Sequence, residues 1–142
     1  MFFQHGTQIK LALFLTPMLL ASGTATDDGP LVCSIVRGVE CDDGLNCGPM
    51  TSTRGAVPTF LDVDLDAGRI TILAPDERRG EITEIRAIER TEDRVIMTGI
   101  EASRGWSMLI FEADGSMVLT MTAEGSGFVV FGQCIAREMA SP

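Results

Sequence analysis

Beyond residue 105 the apolar and polar positions fall into short runs, and each run ends at a glycine-bearing turn. Residues 106–112 are rich in large apolar side chains and meet Ala113-Asp114-Gly115. Asp-Gly between two β-favouring runs marks a hairpin, because the turn needs positive φ angles that these residues tolerate. In 116–123, Met117, Leu119, Met121 and Ala123 share one face, and Ser116, Val118, Thr120 and Thr122 share the other. That period of two predicts a strand with a drier and a wetter side. A second turn at 124–127 leads into 128–134, a nearly continuous apolar run that predicts a strand covered on both faces.

The same rhythm runs through the earlier chain. Residues 31–37 read as a first strand. Residues 38–58 are irregular, rich in Gly and Pro, and contain two cysteines that could hold them as a hairpin-like flap. In 59–66, Leu61, Val63 and Leu65 oppose Asp62, Asp64 and Asp66; in 69–74, Ile70 and Ile72 share a face. Segment 81–90 is two-sided. Ile82, Ile85 and Ile88 at spacing three fit a helix face, but β-branched residues among neighbouring strands favour a strand with a bulge or change of phase. Residues 94–101 complete the set. The expectation is an all-β antiparallel meander of about eight strands closing into a small barrel, with a two-sheet sandwich as the alternative.

The first 25 residues form a separate object. Lys10 precedes the apolar run 11–20, and Ala21-Ser22-Gly23-Thr24-Ala25 is small, which is the order of a secretory signal peptide. The run is short for a membrane span. Cleavage would leave 26–142 as one β-domain with no stable membrane anchor, periplasmic or secreted. All four cysteines, Cys33, Cys41, Cys47 and Cys134, lie beyond the leader. An even number in an oxidising compartment predicts two disulfides. Of three pairings the preferred one is Cys41–Cys47, pinning a small loop, with Cys33–Cys134 joining the first strand to the last. A zinc site is the alternative, but there is no CxxC pair and no nearby histidine.

Charge and composition narrow the function. Asp and Glu number 20 against 11 Lys and Arg, a formal net charge of −9. Such a surface repels nucleic acid and anionic lipid. It either keeps an exported protein soluble or offers a docking face to a basic protein or cell-envelope component. His5 and Lys10 are the only residues of their kinds, and tyrosine is absent. Once the leader is removed, the usual general base, Schiff-base amine and phenolic acid are gone, and no Gly-rich phosphate loop is present. The chain therefore reads as non-enzymatic and without a cofactor. Glycoside hydrolysis by two paired carboxylates is the enzymatic alternative.

A few residues invite closer weighing. Asp62-Val63-Asp64-Leu65-Asp66-Ala67-Gly68 begins like a calcium loop, but the glycine falls one place late and Leu73 stands where a bidentate Glu is required. No metal site is assigned. Asp42, Asp43 and Asn46, inside the cysteine loop, are candidate binding residues that turn formation explains equally well. Met97, Met108, Met117 and Met121 suit either core packing or the wall of an adaptable apolar cavity, with soft-metal ligation a further use of thioethers. Trp106, the lone tryptophan, is either a core plug at the barrel end or a binding anchor.

The leader, the stretch CSIVRGVECDDGLNC, the meander and the terminal VVFGQC together resemble a group of small uncharacterised exported proteins of Gram-negative bacteria. The plan is also similar to lysozyme inhibitor barrels, though their inhibitory loop has no counterpart here. The resemblance implies export and a disulfide-stapled β-fold. The leading reading is an exported binding protein that contacts a protein or envelope component through its acidic surface and cysteine loop. The alternative is a lipocalin-like carrier of a small apolar ligand, which requires a hollow interior.

Overall fold

The structure, a computed structural model, describes residues 29–50 and 58–137. The leader (1–25) and most of the second half of the flap lie outside the described residues. Ten strands follow one another: β1 (Leu31–Asp42), β2 (Cys47–Pro49), β3 (Phe60–Asp64), β4 (Arg69–Ala74), β5 (Ile82–Glu84), β6 (Ala87–Arg90), β7 (Arg94–Glu101), β8 (Arg104–Phe111), β9 (Ser116–Ala123) and β10 (Ser126–Ala136). One 3-10 turn, Asp76–Arg78, follows β4. All pairings are antiparallel, in the order β5-β4-β3-β1-β10-β9-β8-β7-β6, with β2 beside β1. The sheet curls into a half-barrel, as the all-β meander expectation required; a second sheet is not among the described residues.

The curl is closed where the chain ends meet and looser in mid-chain. β1 pairs β10 along nearly its whole length, with a bulge between Ile35 and Arg37. β5 and β6 lie at opposite ends of the sheet order although only Ile85 and Arg86 separate them. The Ile85 amide donates to the Gly68 carbonyl at 2.8 Å, and the Arg86 amide donates to the Thr98 carbonyl at 2.8 Å. One kinked strand thus belongs first to β4 and then to β7, and it bridges the two edges. Counting β5 and β6 as one strand, and β2 as part of the flap, returns the expected eight. The spacing of three is explained by this phase change: Ile82 and Ile88 face solvent, while Ile85 packs against the core.

Two expectations need correcting. The first strand does not stop at Arg37; it runs to Asp42, because residues 38–42 extend the ladder with 126–130 and then pair with β2. Nor is 128–134 covered on both faces. Val129 and Phe131 are each 36% exposed on the convex side, since nothing among the described residues lies over that face. The apolar run reflects β propensity as well as burial.

The concave side carries the core. Leu31, Cys33, Val63, Val95, Met97, Met108, Ile110, Met117 and Cys134 are almost wholly buried. They come from the end of the half-barrel where β1 begins and the β8–β9 turn lies. In that turn Gly115 has φ 71° and the Ser116 amide is capped by the Asp114 carboxylate at 2.8 Å, as the Asp-Gly signal implied. Fully burying a side chain of this size contributes about 1.5–3 kcal/mol, so this end supplies most of the hydrophobic stabilisation. The Cys33–Cys134 disulfide lies within it, between directly opposed residues of β1 and β10. Cys41–Cys47 closes the β1–β2 hairpin at the far end. Two disulfides are consistent with an oxidising compartment. No helix among the described residues is long and apolar enough to cross a membrane.

Candidate functional site

At the end opposite the packed core the same concave rows continue without meeting. On β8 the inward positions run Ile110, Met108, Trp106, Arg104; on β9 they run Met117, Leu119, Met121, Ala123. Lower members of each row are buried, and upper members are half-buried or exposed. The result is a cavity of about 430 Å³, within the range of roughly 300–1,000 Å³ typical of small-molecule sites. Its wall is largely aliphatic and thioether: Ile70, Ile72, Leu119, Met121, Phe128 and Val130 lie around it. Met121 and Met108 give the wall side chains that can repack around varied shapes.

Trp106 forms part of this wall and is only 5% exposed. Its position depends on Gly99, its register partner on β7. A Cβ on Gly99 would stand 2.2 Å from Trp106 Cζ2 and 2.7 Å from the Glu84 carbonyl oxygen. The absent side chain therefore lets the indole lie flat against β7 and lets β5 approach. Trp106 is buried where the packed core gives way to the cavity. The indole Nε1 is buried without a hydrogen-bond partner among the described residues, and so is Thr83 Oγ1 on β5, which lines the same cavity. An unpaired buried donor costs about 1–3 kcal/mol.

The rim is polar. Arg78 reaches Glu81 at 2.5 Å and Glu101 at 3.9 Å. The Glu81 contact pushes the Arg78 pKa up and holds the Glu81 carboxyl below its usual range. Arg104 opposes Glu101 in the β7–β8 register, yet Glu101 turns to Arg78. The β7–β8 turn that presents Arg104 has Ala102 at φ 46° and Ser103 at φ 65°, a left-handed pair without glycine.

The candidate residues of the cysteine loop sit beyond this rim and not in the cavity. Asp42 Oδ1 accepts from the Gly44 amide at 3.0 Å and the Asn46 amide at 2.9 Å, and both its oxygens accept from Asn46 Nδ2 at 3.1 Å. Asp42 and Asn46 thus build the loop. Asp43 keeps its carboxylate exposed, while its amide donates to the Gly125 carbonyl at 3.1 Å and ties the loop to the β9–β10 turn. Asp62 pairs with Arg137 at 3.0 Å, and Asp64 caps the Ala67 amide at 2.8 Å. Among the described residues no group of three His, Cys, Asp or Glu is gathered as a metal site.

Sequence reasoning passed over Thr83, Gly99 and Arg104. Arg104 reads as loop until it is counted two before Trp106; the series 104, 106, 108, 110 then puts it on the cavity face. Thr83 and Gly99 are visible only when the mid-chain kink brings β5 to β7. No protein-family model, curated protein or solved structure matches the chain.

Proposed function

We propose that this chain is an exported, non-enzymatic binding protein, periplasmic or secreted, that takes a small, mainly apolar molecule into the open end of its half-barrel. The 430 Å³ cavity with its aliphatic and thioether wall carries the reading. A further fact supports it: histidine, lysine and tyrosine, which commonly serve acid–base and covalent catalysis, do not occur beyond Lys10.

Native mass spectrometry of protein purified without denaturation from its own host tests this. A bound mass that disappears on unfolding is expected. The half-buried Ala123 lies at the mouth, and Ala123→Trp should exclude the bound mass while leaving the fold intact by circular dichroism. No bound mass in the parent, together with no uptake of an apolar fluorescent probe, would sink the proposal. The net charge of −9 and the tethered, exposed Asp43 support a second reading, in which a basic protein or envelope component docks over the rim. Its mark would be partner capture that fades as salt is raised.

A further inference from the structure

We infer that the outer face of the half-barrel, where β3, β1 and β10 lie side by side, is the contact through which two copies of this chain associate. Of the ten large apolar side chains that stand exposed among the described residues, six fall on these three strands: Phe60 on β3, Val36 and Val39 on β1, and Val129, Phe131 and Ile135 on β10. The register makes them neighbours. Val39 is opposite Val129, Arg37 is opposite Phe131, and Ser34 stands between Phe60 and Gln133. Val36 sits in the bulge between Ile35 and Arg37 and is 72% exposed. Exposed apolar residues scattered singly are ordinary on a soluble protein, whereas a contiguous group rimmed by polar side chains marks a contact.

Charge, area and composition select a second copy as the occupant. The chain carries a formal net charge of −9, yet the outward positions of β1, β10 and β9 hold no Asp or Glu, and Arg37, laid over the Phe131 ring at 5.5 Å, is their one charge. On β3, Asp62 is paired with Arg137 at 3.0 Å. A basic partner finds no free carboxylate to meet here, while two copies can meet face to face without setting acid against acid. Facing sheets stand about 10 Å apart, beyond the roughly 8 Å over which physiological salt screens charge, so acids on the turns and the rim oppose the pair only weakly. At these exposures the six side chains present on the order of 500 Å² of apolar surface. An isologous pair then buries about 1,000 Å² from them alone, which reaches the lower bound for a specific interface, and Ser34, Thr120 and Gln133 beside them add to it. A patch three strands wide spans about 10 Å, narrow enough for two curved faces to meet along their length. The face also has no Trp, Tyr or Lys, the residues that seat a protein in a lipid interface.

Sedimentation equilibrium of the whole exported chain, from about 1 to 200 µM, tests the contact. A dimer with a Kd of roughly 1–100 µM is expected, and the species should stop there, since an isologous contact closes on itself. Raising the salt tenfold should leave the Kd unchanged or tighten it. Val36→Asp and Val39→Asp, both at exposed positions, should keep the fold by circular dichroism and weaken the dimer at least tenfold, because symmetry places each new charge in the contact twice. Leu45→Asp, 89% exposed but in the cysteine loop, should leave it unchanged. A chain that stays monomeric throughout, or a dimer that survives both valine substitutions, overturns the inference. Loss of the dimer in Leu45→Asp, or its weakening by salt, overturns it by moving the contact to the loop or to charged groups. A monomer that floats with phosphatidylcholine vesicles overturns it in favour of a lipid surface. None of these outcomes bears on ligand uptake at the open end, which the cavity carries by itself.

Discussion

Replacing Gly99 by alanine tests the coupling between cavity and fold. The added methyl would lie 2.2 Å from Trp106 Cζ2, 2.5 Å from Cε2 and 2.7 Å from the Glu84 carbonyl oxygen. Carbon atoms rest at about 3.5–4.0 Å, so the indole has to retreat by roughly 1–2 Å. Beneath it lies packed core; beside it lies the cavity, the only direction in which it can yield. Overpacking of this kind costs about 1–3 kcal/mol, which for a domain of this size lowers Tm by roughly 4–15 °C. Urea melts followed by circular dichroism and by tryptophan emission measure the cost and the movement together. Gly48→Ala is the control, since a methyl there meets nothing within 4 Å. Repeating Gly99→Ala in a Trp106→Leu background separates the two contacts. The cost should fall once the indole is gone, leaving the part due to the Glu84 carbonyl oxygen at 2.7 Å. An equal cost in both backgrounds would show that the Glu84 carbonyl, not Trp106, is what glycine accommodates, and a neutral Gly99→Ala would refute the close approach altogether.

Disulfide removal should be graded by loop length. Cys33→Ala/Cys134→Ala opens a closure with sequence separation 101 and should cost about 4–5 kcal/mol. Cys41→Ser/Cys47→Ser opens one with separation 6 and should cost about 2 kcal/mol; urea midpoints in the reverse order would contradict the assignment of the long bond to the packed end. Ala102→Asn/Ser103→Gly should raise stability by about 1–2 kcal/mol, because it relieves two left-handed non-glycine residues, and should leave ligand binding unchanged by calorimetry. Asp93 is held down to about 2, from an ordinary 3.8, by its hydrogen bonds to Arg94 and Thr91. A depressed carboxyl pKa stabilises the fold above pH 4, and that contribution is lost as pH falls through about 2. Asp93→Asn should therefore lower the urea midpoint at pH 6, with the gap from the parent closing near pH 2; a gap that persists there would argue against the ion pair.

Most of the architecture was legible from local pattern. Period-two alternation at 116–123 and the Asp114-Gly115 turn place β9 and its hairpin, because side-chain direction in a strand is set by parity alone. The ends were harder. β1 reads as ending at Arg37 because Gly38 and the following acids lower local propensity, yet pairing with β10 carries the strand to Asp42. Tertiary context overrides propensity in sheets. The site was legible only in part. Trp106 and the methionines declare an apolar interior, but whether rows of side chains meet across a curl depends on its width, which no single strand encodes. Asp42 and Asn46 stood out as polar residues between cysteines, and the structure spends them on the loop itself.

The division of the half-barrel into a packed end and an open end bears on how a ligand would act. Nearly all the wholly buried side chains, and the long disulfide, belong to the packed end. Leu119, Met121 and Ile35, toward the open end, are only partly buried against that core. The packed end thus carries most of the buried apolar contact of the fold. Binding at the open end would require little reordering of that core, so its free energy would be available for affinity. A ligand that fills the cavity would add apolar contact across rows that do not otherwise meet, from Ile70 and Ile72 on β4 to Met121 on β9. Its stabilising effect should grow with ligand concentration as mass action requires and fall mainly on the open end. Hydrogen exchange would then slow at the upper residues of β4, β8 and β9 while the amides around Cys33 and Cys134 keep their rates.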